Sequence, residues 1–188
     1  DVRVAGIGCF SECPALRKFE PTKLPNLQSD KKIFYNCPNL EGDFELDAWT
    51  EINQDNPFTY CAKVTSLRLP NLTACNKSSE LAWMTSLTNF YAPKLTYLYV
   101  STLRDNPALK SVVLSDAVSW IGNYAFYGCT SLESVYPTRM TNLTNLGTSA
   151  FAYSSVSGDF EFSGIPLLGE SVFRECGRLR SVKGYLII

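Results

Sequence analysis

Seven cysteines and no histidine define the chemistry open to this chain. Without histidine, Ser-His-Asp and Cys-His nucleophile systems are excluded, as are histidine-based metal sites. No Cys-x-x-Cys pair is present, so no zinc site and no cofactor are expected. Cys13, Cys37, Cys61, Cys129 and Cys176 fall in phase with an apolar repeat and read as packed, reduced thiols that behave as small hydrophobes. Cys9 and Cys75 lie off that ladder, and either could be a surface thiol. The other candidate chemistry is a carboxylate pair. Glu20 and Glu45 occupy equivalent places in successive repeats, and two carboxylates about 5 Å apart would suit a retaining glycosidase. Lys18 and Arg68 flank them on an open face, which favours a neutralised surface over a catalytic site. Fewer than six oxygen ligands are in reach for calcium.

The elements that carry these residues follow from one periodicity. Leu16, Leu40, Val64, Leu87, Leu109, Leu132, Val156 and Leu179 recur every 22–24 residues. Three residues on comes a second apolar ladder: Phe19, Leu67, Phe90, Val112, Val135 and Val182. In two repeats it comes one residue later, at Phe44 and Phe160, each after a Gly-Asp insertion that reads as a glycine bulge. Two further on stand Leu46, Leu69, Ala92, Leu114 and Phe162, with Pro21, Pro137 and Gly184 in the remaining repeats. Six residues before the anchor run Phe10, Phe34, Phe58, Leu81, Leu103, Phe126 and Phe173, while Phe151 comes five before. A turn of this length cannot bury its own apolar side chains, but stacked turns bury each other's. The period-2 ending of each repeat predicts a parallel strand with one face inward. Pro70 and Pro93 close two of these strands. Asn, Gly, Ser and Pro crowd the return path, which predicts turns and short irregular segments there. The expectation is a single solenoid domain over 1–188 with about eight turns and a curved parallel sheet on one face.

The repeat itself resembles a known family. Ile121-Gly122-Asn123-Tyr124-Ala125-Phe126-Tyr127-Gly128-Cys129-Thr130-Ser131-Leu132-Glu133-Ser134-Val135 is similar to a full repeat of the BspA-like leucine-rich-repeat family. That repeat reads Ile-Gly-x-x-Ala-Phe-x-x-Cys-x-x-Leu-x-x-Val/Ile. Leu146–Phe151 and Leu168–Leu179 follow it closely. Phe10–Leu16 and Phe34–Leu40 keep its Phe-x-x-Cys-x-x-Leu. The resemblance implies a curved leucine-rich-repeat solenoid used on bacterial cell surfaces for adhesion to host proteins or other cells. It carries no catalytic motif and no fixed ligand.

Residues between the inward positions should face out. They read Glu20, Glu45, Arg68, Tyr91, Val113, Tyr136, Glu161 and Lys183, with Lys18, Asp43, Ser66, Asn89, Ser111, Ser134, Asp159 and Ser181 two residues earlier. Lys18 should meet Asp43, Glu45 should meet Arg68, and Glu161 should meet Lys183. An aromatic strip inside a polar rim has the makeup of a recognition patch. Arg68, Tyr91, Val113, Tyr136 and Glu161 are therefore the ligand-binding candidates. The expected function is a non-catalytic binding module, secreted or on a cell surface, that recognises an extracellular protein or glycan. The alternatives are a structural spacer presenting another domain and, less favoured, a glycosidase.

The remaining signals bound this reading. A net charge of −1 offers no basic surface for nucleic acid. No apolar run reaches the roughly 18–20 residues of a membrane span. The chain begins at Asp1, so the lack of a leader does not bear on secretion. The sequons at Asn71, Asn76 and Asn142 read as turn composition, and Trp49, Trp83 and Trp120 as partly buried residues of the return path. The apolar end Tyr185-Leu186-Ile187-Ile188 lacks a polar cap. It implies either a longer protein or a last strand that closes the core.

Overall fold

The computed structural model describes residues 8–20, 32–53, 56–165 and 167–186. In chain order the strands are β1 (Glu41–Glu45), β2 (Glu51–Ile52), β3 (Lys63–Arg68), β4 (Ala74–Cys75), β5 (Asn89–Tyr91), β6 (Tyr97–Leu98) and β7 (Ser111–Val113). They continue as β8 (Trp120–Ile121), β9 (Ser134–Tyr136), β10 (Arg139–Met140), β11 (Asn145–Leu146), β12 (Gly158–Ile165), β13 (Leu167–Leu168) and β14 (Leu179–Leu186). Every pairing is parallel, between one turn and the next. The broad face is the five-stranded sheet β1-β3-β5-β7-β9, continued after a break by β10-β12-β14. The chain is thus a parallel solenoid of leucine-rich-repeat type.

The return path is more regular than its composition implied. It carries a second sheet of six two-residue strands, β2-β4-β6-β8-β11-β13. Its inward residues Ile52, Cys75, Leu98, Ile121 and Leu146 are fully buried. Six strands on this face set the array at about six complete turns, where eight anchors suggested eight. The outermost anchors, Leu16 and Leu179, are only partly buried against the core. Leu40, Val64, Leu87, Leu109, Leu132 and Val156 form one wholly buried column. Truncating one of the leucines of this column to Ala empties buried space in the core, a loss of about 2–5 kcal/mol.

Three further columns fix the backbone. The first is a hydrogen-bond column. The Cys37 thiol donates to Phe10 O (2.8 Å), Cys61 to Phe34 O (2.9 Å), Cys129 to Leu103 O (3.2 Å) and Cys176 to Phe151 O (3.0 Å). Asn106 takes the same place and donates to Leu81 O (2.9 Å) and Leu103 O (2.8 Å), while Met84 N–H donates to its Oδ1 (2.7 Å). The second is a column of close approach: a Cβ on Gly122, Gly147 or Gly169 would collide with backbone of the preceding turn. That explains the Ile-Gly of the repeat. The third is conformational. Two places per turn, four residues apart, hold left-handed backbone, as at Ser101 (φ 58°) and Asp105 (φ 53°) or Ser149 (φ 53°) and Tyr153 (φ 58°). Small polar residues tolerate that region; bulky ones lose about 1–2 kcal/mol there.

Candidate functional site

The broad sheet brings Glu45, Arg68, Tyr91, Val113 and Tyr136 into one outward row, each in register with the next. Phe44, Leu67, Phe90, Val112 and Val135, one residue earlier, point into the core and hold the row in place. The register shifts between Gly42 and Asp43, where β3 carries one extra residue, Thr65. Arg68 is held from both sides: its Nε lies 3.6 Å from Glu45 Oε1, and its guanidinium carbon sits 4.3 Å from the Tyr91 ring centre. An exposed ion pair adds only about 0–1 kcal/mol of stability, so its effect here is to limit the rotamers Arg68 can adopt. A polar row runs beside it. Asp43 accepts the Thr65 hydroxyl (2.8 Å), and Ser111 donates to Asn89 Oδ1 (2.8 Å).

Glu161 does not extend this row. The chain after Tyr136 steps sideways through Pro137, Thr138 and Arg139, and β12 pairs with β10 instead of β9. Fully buried Met140, in register with Phe162, takes the inward place that the spacing assigned to Pro137. Glu161 therefore stands opposite Arg139, with Arg139 Nε 3.3 Å from Glu161 Oε1. Lys183 is in register with Glu161, but the ion pair goes to Arg139. Arg139 is the residue that spacing alone missed. The break leaves Tyr136 at the sheet edge, 54% exposed. Beside it opens a cleft of about 910 Å³ lined by Pro93, Val113, Asp116, Tyr136, Thr138 and Arg139, among others.

The other candidates resolve into structure. Burial pushes the Cys61 and Cys129 thiols up to about 12, and also raises Cys37. These thiols stay protonated at neutral pH and act as donors, not nucleophiles. Cys75 is fully buried in β4, not a surface thiol; burial, and then the neighbouring Glu80 carboxylate, push it well above its ordinary value. Cys9 is exposed. Glu20 is exposed and outside the strands, while the Glu45 carboxylate is engaged by Arg68. Trp49 is completely buried, beyond the partial burial its position suggested; Trp83 and Trp120 are half-buried. The sequon amides bridge turns: Asn71 donates to Asp47 O (2.9 Å) and Asn142 to Asp116 O (3.2 Å). Pro21, Ile187 and Ile188 lie outside the described residues, so the expected closure of the C-terminal end is not described.

A second outward column, along the turn edge, was not legible as one. It carries one large flat side chain per turn: Tyr35, Tyr60, Trp83, Arg104, Tyr127, Tyr153 and Arg174. Backbone hydrogen bonds from Asn36, Tyr60, Trp83, Asp105, Gly128 and Tyr153 to the following turn keep them in line. Ring centres lie 5.9 Å apart for Tyr35–Tyr60, 5.2 Å for Tyr60–Trp83 and 5.3 Å for Tyr127–Tyr153. Arg104 lies 5.0 Å from the Tyr127 ring and Arg174 lies 5.7 Å from the Tyr153 ring. Tyr60, Trp83 and Tyr153 have φ of 65°, 58° and 58°, where bulky residues are strained. Each ring contact adds about 0.5–1.5 kcal/mol beyond the area it buries, which offsets part of the backbone cost.

Fold and outward face together define a leucine-rich-repeat module with an open, ordered sheet surface. The chain belongs to the BspA type leucine-rich-repeat family, whose repeat region matches residues 1–106 and 96–184 with six copies. Among solved structures, a leucine-rich repeat protein from Bacteroides ovatus ATCC 8483 shares the fold, with a TM-score of 0.60 and 20% identity over 100% of this chain. This chain spans 60% of that one. Comparison with curated proteins gives no match. Repeats of this family form modules often used for binding, and the family is associated with bacterial surface proteins. No helix among the described residues is long and apolar enough to cross a membrane.

Proposed function

We propose that this chain is a non-catalytic binding module of a secreted or cell-surface bacterial protein, and that it recognises an extracellular protein or glycan with its broad sheet. The observation that carries the reading is the row Arg68–Tyr91–Val113–Tyr136, in register on four adjacent strands and ending at the cleft beside Tyr136. Tyrosines present apolar area with a hydroxyl, and little side-chain entropy is lost when they are covered. Arg68, already confined between Glu45 and Tyr91, supplies an oriented cation. Glu161 acts only at the periphery, since Arg139 occupies it. Adhesion to host or neighbouring cells is the role that fits such a face. The test is a binding screen against immobilised extracellular-matrix proteins and glycan arrays. Tyr91→Ala combined with Tyr136→Ala should weaken the detected interaction at least about tenfold, the scale of one or two central aromatic contacts. Undiminished binding by a folded double variant would remove the sheet from the mechanism.

A further inference from the structure

We infer that the turn edge is a second binding surface, separate from the sheet, and that it takes a neutral linear polysaccharide. Rings and guanidinium planes recur once per repeat at seven successive positions along the edge, so the surface fits a ligand that repeats along its length. Tyr60, Trp83 and Tyr153 hold strained left-handed backbone at places where their neighbours in other turns carry Asn, Asp, Gly or Glu. Asn, Asp or Gly holds that backbone without strain, yet these three turns carry rings. Tyr60 and Tyr153 keep 41% and 36% of their surface exposed. The flanking charges balance: Lys32, Arg104 and Arg174 against Glu12, Asp105 and Glu175, with Arg104 Nε 3.0 Å from Asp105 Oδ2. A balanced edge gives no counterion-release affinity for nucleic acid or for an acidic glycan. Alternating donors and acceptors suit hydroxyl groups, which are both. The edge's backbone N–H groups already donate to the next turn, so strand addition by a peptide has no template.

The experiment is affinity electrophoresis in gels containing galactomannan, mixed-linkage β-glucan, hydroxyethylcellulose or dextran, with decaproline binding measured in parallel. Retardation is expected in at least one gel. Tyr60→Asn with Trp83→Asn should weaken it by about tenfold per ring removed. Asn relieves the backbone strain but gives up the ring's burial, so the thermal midpoint is measured for each variant. Should the double variant melt lower, Tyr153→Asn alone provides the same readout at the far end of the edge. Tyr91→Ala with Tyr136→Ala should leave retardation intact, which separates this surface from the sheet. No retardation in any gel, retardation unchanged by the Asn variants, loss confined to the sheet variant, or binding to decaproline alone would each overturn the inference.

Discussion

Alkaline pH should destabilise this fold through two thiols. Cys61 and Cys129 are held near 12 in the folded chain by burial, against an ordinary value of 9.0. Below pH 9 both states keep the proton and nothing changes. Between about 9 and 12 the unfolded chain releases a proton that the folded chain retains, so stability falls as pH rises. From pH 8 to pH 10 each thiol contributes a loss of roughly 1–2 kcal/mol, and the two together about 3 kcal/mol. Cys37, Cys75 and Tyr97, also raised by burial, lower stability in the same direction, so the comparison needs a matched variant. Serine already occupies this column at Ser154, and it can donate without titrating in this range. Cys61→Ser with Cys129→Ser should lower stability at every pH yet lose about 3 kcal/mol less between pH 8 and pH 10. Urea unfolding followed by circular dichroism at both pH values measures the two drops. Equal drops in parent and variant would refute the claim that these buried thiols couple folding to pH.

Two other substitutions probe the columns. Asn106→Ala leaves the Met84 N–H and the Leu81 carbonyl without their buried partner, and should cost about 3 kcal/mol in urea unfolding; Asn106→Cys should recover part of that, because a thiol in this column donates to the preceding turn. Gly147→Ala drives a methyl into the backbone of Asn123 and should lower stability by about 1–3 kcal/mol, whereas Gly177→Ala, with nothing within 4 Å, should leave the melting temperature unchanged.

The inward half of this fold is written in the sequence as spacing. Leu40, Val64, Leu87, Leu109, Leu132 and Val156 align as their intervals require, and both Gly-Asp insertions are register shifts in the sheet. The second sheet escaped because a two-residue strand has no room for alternation. Its column Ile52–Cys75–Leu98–Ile121–Leu146 is apolar but stands alone, so Cys75 read as an outlier. The break after Tyr136 escaped for a different reason. The chain between Tyr136 and Met140 is lengthened, and the later place of Phe151, five residues before Val156, shortens the turn again. A repeat of ordinary length thus conceals a lateral step, which misplaced Glu161 and hid Arg139. The turn-edge column escaped because its rings alternate between the first and second residue after the Phe ladder, as at Tyr35 and Tyr60, and only the backbone ladder shows them in line.

These misses share a cause that bears on function. Inward residues, thiol donors and close-packed glycines fix the backbone of each turn, so the outward residues are released from any role in folding. Residue type along the sheet row obeys no period, and the turn-edge rings fall into line only through the backbone ladder, so the anchor spacing shows neither. The broad face and the turn edge both carry aromatic residues beside arginine. An open parallel sheet selects a ligand by the order of side chains along its rows, since no wall closes around the ligand. At Tyr136 that rule changes: the sideways step opens a cleft, and a row becomes a site with a floor and a side. If the sheet binds as proposed, selectivity should be concentrated at Tyr136 and Arg139, with Arg68 and Tyr91 setting the direction from which a ligand is led into the cleft.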